Sequence, residues 1–205
     1  MPDPAELVRA FVAVDLGPEA KDAARALQRQ LDEALPRGGV RWTRPDQLHL
    51  TLRFLGGVLA TSLPELCQAL DGALRGAPPF RLRLDTLGAF PSSRAPRVLW
   101  LGLEGDLPRL RDVQARVAQA AAAFGEHQEA RPFHPHLTLG RVNRPEAAVG
   151  RAFQAWVAQA ASPAPCAWEV EAVRLIQSRL RPAGAVYAEL ARFALAGAAG
   201  GSPPR

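Results

Sequence analysis

The nine-residue pattern Arg-Pro-x-x-x-His-Leu-Thr-Leu occurs twice in this chain, at 44–52 and at 131–139, with six identities over nine positions. The 205 residues contain only four His and five Thr, so composition does not explain the recurrence. A unit repeated within a chain of this length predicts two related halves, each contributing one imidazole and one hydroxyl. On a strand successive side chains point to opposite faces. His49, Thr51 and Arg53 are therefore expected on one face, with Leu50, Leu52 and Phe54 on the other. In the second copy His136, Thr138 and Gly140 face one way and Leu137 and Leu139 the other. Strict alternation sends Arg141 to the leucine side, unless Gly140 marks a bulge or the strand end.

Two imidazoles and two hydroxyls suit acid–base chemistry around an anion. Opening a phosphodiester proceeds in line, with a base on one side of phosphorus and an acid on the other. Histidines carried by two separate halves can flank the phosphorus in that way. Imidazole titrates near neutrality, so one can be neutral while the other is protonated. Thr51 and Thr138 can hold the non-bridging oxygens, and Arg53 or Arg141 can balance their charge. His134 and His136 form an H-x-H pair, but no third and fourth ligand stand at useful spacing, so no metal is expected. No organic cofactor is expected either, since no P-loop, G-x-G-x-x-G or G-x-S-x-G is present. His127 is read as incidental, and Trp42, Trp100 and Phe133 as core rather than base-stacking surfaces.

The remaining pattern sets the fold class. Strands are expected near 8–16, 40–43, 48–55, 80–87, 98–103, 137–142, 168–178 and 186–195, the last two joined by a turn at 182–184. Helices are expected near 18–35, 62–74, 107–124 and 145–160. Ser62-x-x-Glu65 reads as a capping box and Asp106 as a helix cap. Strands outnumber helices without strict alternation, which predicts α+β with antiparallel or mixed sheets rather than a doubly wound parallel sheet. Residues 7–195 are expected to form one bilobal domain, with 1–6 flexible and 196–205 disordered. No apolar run is long enough for a membrane span. Cys67 and Cys166 form no C-x-x-C and read as buried free thiols in a reducing cytoplasm. Net charge is +5, carried by 24 Arg and one Lys. Arg pairs with phosphate in a planar, bidentate way, which fits a nucleic-acid partner, although a GC-rich coding bias also favours Arg.

At its twin motifs the chain resembles the two-histidine phosphoesterase superfamily, and within it the bacterial and archaeal RNA 2′,3′-cyclic phosphodiesterases, historically called 2′-5′ RNA ligases. The segments that carry the resemblance are Arg9–Val14, Leu48–Gly56, Phe90-Pro91 with Pro96–Gly102, Arg131–Arg141, and Leu175–Leu180 with Tyr187–Leu190. The resemblance implies two related sheet lobes with outer helices around a basic central cleft. It implies metal-independent opening of an RNA 2′,3′-cyclic phosphate to a 2′-phosphate, with reversal joining ends in a 2′-5′ linkage. It makes His49 the proton donor and His136 the proton acceptor. RNA bearing cyclic phosphate ends, or a small nucleotide, is the implied partner of a cytoplasmic monomer. Phosphodiesterase action on 2′,5′-oligonucleotides or small cyclic nucleotides is the alternative enzyme reading. A non-catalytic RNA-binding module is disfavoured, because binding needs no pair of titratable groups.

Overall fold

A computed structural model describes residues 6–126, 132–143, 147–159, 166–182 and 184–197. His127, Arg131, Ala183, the first five residues and the tail beyond 197 lie outside the described residues, as do the expectations that fall on them. Nine strands and four α-helices follow in order among the described residues: β1 (Leu7–Asp15), α1 (Pro18–Ala34), β2 (Val40–Trp42), β3 (His49–Leu59), α2 (Leu63–Leu74), β4 (Phe80–Phe90), β5 (Val98–Gly105), α3 (Leu107–Ala120), β6 (His136–Val142), α4 (Ala147–Gln159), β7 (Ala167–Val170), β8 (Ala172–Arg181) and β9 (Gly184–Ala194).

The strands form one sheet in the order β7-β4-β5-β6-β3-β1-β8-β9, with β2 also on β6. All the pairings are antiparallel. The twin motifs begin the two central strands, β3 and β6. These two share a single ladder pair, Leu50 with Leu137. Beyond it they part, and β2 takes over the edge of β6. The sheet is therefore two lobes hinged on the motifs: β3-β1-β8-β9, and β6-β5-β4-β7 with β2.

The motif leucines explain why these strands sit at the centre. Leu50, Leu52, Leu137 and Leu139 are each at most 1% exposed and join the main core. Truncating one such leucine to alanine typically costs about 2–5 kcal/mol. The helices cover this apolar face in two pairs, α1 with α4 and α2 with α3. Apolar positions at helical spacing make the contact: Ala20, Ala24, Leu27 and Leu31 on α1, and Leu110, Val113 and Val117 on α3. One helix of each pair crosses to the other lobe. Helix α1 follows a strand of the β3 lobe yet touches β7, and its Gln28 bonds to β6. Helix α3 follows a strand of the β6 lobe yet packs on β3.

Three local expectations are corrected. Neither Ser62 nor Asp106 makes a side-chain cap bond; each helix instead begins with Pro in its first turn, where a missing N–H costs nothing. The run 168–178 is two strands, not one. It breaks at Glu171, whose carbonyl accepts from Leu195 N, and the chain passes from the β4 edge of one lobe to β1 of the other. Cys67 and Cys166 are free thiols, half-buried against the core rather than fully enclosed in it.

Candidate active site

The face of the sheet opposite the helices carries both imidazoles. Continuing the Leu50–Leu137 register by one residue on either side sets His49 beside Thr138 and Thr51 beside His136. The two histidines are then diagonal neighbours where the strands begin to part, near enough that the charge of His136 acts on His49. That leaves room for one tetrahedral anion between two imidazoles and two hydroxyls.

Each imidazole is anchored in the same way. His49 Nδ1 lies 2.6 Å from the carbonyl of Gln47, and His136 Nδ1 lies 2.7 Å from the carbonyl of His134. A carbonyl only accepts, so in both rings Nδ1 keeps its proton and Nε2 becomes the working nitrogen. Gln47 is held in turn, its amide donating to Ala185 O of β9.

Aromatic rings wall in both histidines. Phe11 stacks on His49 at 4.7 Å between centroids, and Tyr187 meets the same ring edge-on at 5.5 Å. Around His136 stand Phe90 at 5.1 Å and Trp100 at 6.2 Å, both edge-on. Burial among them is the largest influence on both groups and lowers the pKa of each below the usual imidazole value. Lesser influences differ between lobes. Asp15, the direct cross-strand partner of His49, draws that pKa upward, while Arg174 and His136 push it down. His134 and Arg141 push His136 further down.

The arginines are where alternation misleads. Between β1 and β3, Ala13 faces Thr51 but Val12 faces Arg53, so Leu52 is an extra residue and the strand bulges. The bulge turns Arg53 to the helix side, where its guanidinium donates to Ala118 O of α3 at 3.0 Å. Arg53 thus does not share a face with His49 and Thr51. Phe54 does, packing 6.2 Å from Phe11. The second motif bulges at the matching point. Trp100 faces Thr138 and Leu99 faces Gly140, leaving Leu139 extra. Gly140 takes the helix side and Arg141 the imidazole side. Gly140 suits this place because a Cβ there would lie 2.6 Å from Val40 Cγ1.

A helix glutamine secures each bulge. Gln28 of α1, buried, donates to Leu139 O at 2.8 Å and to Thr43 O at 2.9 Å. Gln114 of α3 donates to Leu52 O at 3.4 Å. These carbonyls would otherwise lack a full set of partners in the core.

Trp42 and Phe133 pack against the main core as expected, but Trp100 belongs to the imidazole face. Tyr187, Phe11 and Phe90 reach that face; each lies in a segment that carries the resemblance, but none was expected as a site residue. Periodicity on strands does not say which face is the cleft. Among the described residues no group of three or more His, Cys, Asp and Glu is placed to hold a metal ion.

A symmetric pair of His-x-Thr strands, each imidazole tied through Nδ1 and presenting Nε2 to a shared cleft, defines a two-histidine phosphoesterase. The family model described as LigT like Phosphoesterase matches this chain twice in succession, over residues 14–100 and 101–187, and the chain belongs to that family. The RNA 2′,3′-cyclic phosphodiesterase of Methanothermobacter thermautotrophicus is 33% identical over 92% of this chain and 99% of that protein. Its counterpart in Thermus thermophilus is 32% identical over 93% of this chain and 91% of that protein. The crystal structure of E. coli LigT complexed with 3′-AMP matches with a TM-score of 0.75 and 30% identity, over 93% of this chain and 99% of that chain.

Proposed function

We propose that the protein is an RNA 2′,3′-cyclic phosphodiesterase that opens the terminal cyclic phosphate to a 2′-phosphate. The observation that carries this reading is the matched anchoring of two imidazoles across one shared ladder pair. Its relatives bear the same activity in their names, over nearly the whole chain. In the proposed reaction the cyclic phosphate sits between the lobes. Neutral His136, with a bare Nε2, takes a proton from water as it attacks phosphorus. His49, protonated at Nε2, gives a proton to the departing 3′ oxygen. Atoms balance: one P–O bond forms to water, one breaks to the ribose, and the proton lost at one ring is gained at the other.

The lobes support this division of labour. His49 has a carboxylate, Asp15, directly across the strand pair, which draws its pKa upward against burial and against Arg174 on the same carboxylate. His136 has Arg141 and His134 for neighbours, which favour its neutral form. The bound phosphate adds negative charge that opposes the lowering by burial and helps His49 to protonate. Thr51 and Thr138 are assigned to the non-bridging oxygens, and Arg141 to their charge. Arg53 is not assigned to substrate. The residues supply both proton transfers, so no metal step is proposed. RNA that ends in a 2′,3′-cyclic phosphate, incubated with the protein in excess chelator, should yield a 2′-phosphate end. A 3′-phosphate product, or no turnover, would overturn the reading.

A further inference from the structure

The two lobes are near copies in strand order but differ in how the charges beside each imidazole are paired. Beside His49 the charges satisfy one another: Asp15 accepts from Lys21 at 2.8 Å and from Arg174 at 2.6 Å, and Arg174 also bonds Glu189. Beside His136 they do not. Among the described residues neither Arg141 nor His134 forms an ion pair. The matched bulges sharpen the contrast, placing Phe54 on one lobe where Arg141 stands on the other.

Beyond its influence on the charge of His136, the side chain of His134 has no part in the proposed reaction, yet the fold holds it at the site. Its ring meets Trp100 edge-on at 4.9 Å and Phe90 at 5.4 Å, and lies 6.0 Å from the ring of His136. Its own carbonyl is occupied by His136. The residue is exposed, so an imidazole N–H is available to a ligand beside the reacting phosphate. A cyclic end on a nucleoside carries one phosphate, whereas the same end on an RNA chain brings a second along the backbone.

Resting on the function proposed above, we propose that His134 is a specificity-determining residue: it donates to the internucleotide phosphate next to the cyclic one, so the RNA body runs over the β6 lobe. Phe90 and Trp100 hold the ring in place, and Arg141 adds attraction for the same strand.

The test compares kcat/KM for a nucleoside 2′,3′-cyclic phosphate with that for a trinucleotide ending in the same cyclic phosphate. The wild-type protein should prefer the trinucleotide. In His134→Ala and His134→Phe the ratio of trinucleotide to mononucleotide should fall about threefold to fivefold, the scale of one exposed charged contact. Phe retains the ring packing, so a fall in both variants separates donation from packing. His134→Arg should restore most of the ratio. Equal losses on both substrates, or an unchanged ratio, would overturn the proposal while leaving the cyclic phosphodiesterase reading intact. Absence of wild-type turnover on either substrate would instead sink that underlying reading.

Discussion

At the scale of single residues, the site is two imidazoles made unequal by their neighbours. Replacing His49 or His136 by Ala should lower turnover on a cyclic phosphate end by roughly 10²-fold or more, the usual contribution of general acid–base catalysis. The double variant should lose far less than the product of the single losses, because the two act as a unit. A folded single variant with near wild-type activity would disprove the two-histidine mechanism. The same groups predict a pH dependence of stability. Burial lowers both imidazole pKa values in the folded state. The unfolded chain, with pKa near ~6.5, then binds more protons as the solution turns acidic. This contribution to stability should be complete above about pH 6.5 and should be lost as pH falls through the lowered folded values. Urea midpoints measured from pH 7.5 to 5 should show a steeper decline for the wild type than for a His49→Gln/His136→Gln double variant. Parallel curves would mean that neither ring is desolvated in solution.

At the scale of elements, the matched bulges decide which arginine serves the cleft. Arg141→Met should weaken binding of a nucleotide phosphate by about tenfold, the range of a charge-assisted hydrogen bond, with little change in melting temperature. Arg53→Met should do the reverse, because it removes a bond to Ala118 O of α3 and leaves the cleft alone. Titration calorimetry with a 3′-nucleotide, together with thermal melts, tests both. If Arg53→Met cost more affinity than Arg141→Met, the bulge assignment would be wrong. The supporting glutamines belong to this scale too. Gln28→Leu leaves Leu139 O without its side-chain donor at a buried turn of the strand, and should cost about 1–3 kcal/mol in chemical denaturation. A cost within error of zero would show that the bulge stands without α1.

At the scale of the whole molecule, the chain carries +5 net charge, and its basic residues are 24 Arg and one Lys. If that charge serves RNA, affinity for a 20-nucleotide strand should fall steeply with salt, while a dinucleotide bearing a cyclic phosphate should respond weakly. Equal, shallow slopes for both would assign the basic composition to coding bias and the cleft to small nucleotides.

Much of this was legible in the residues themselves. The recurrence of Arg-Pro-x-x-x-His-Leu-Thr-Leu announced two related halves. The alternation of His49, Leu50, Thr51 and Leu52 correctly separated the buried leucines from the functional face, because a strand pleat with period two is a local property of the backbone. The periodicity of α1 and α3 was likewise local. What sequence could not decide was set by partners far along the chain. A bulge is a mismatch in register between two strands, so neither Arg53 nor Arg141 could be assigned a face until β1 and β5 were paired with β3 and β6. Glu171 looked like strand interior because nothing near it says that the chain there changes lobes. The exchange of α1 and α3 between lobes, and the gathering of Phe11, Tyr187, Phe90 and Trp100 around the imidazoles, depend on which apolar faces meet. That choice is made by the summed burial of the entire core, and no single segment records it.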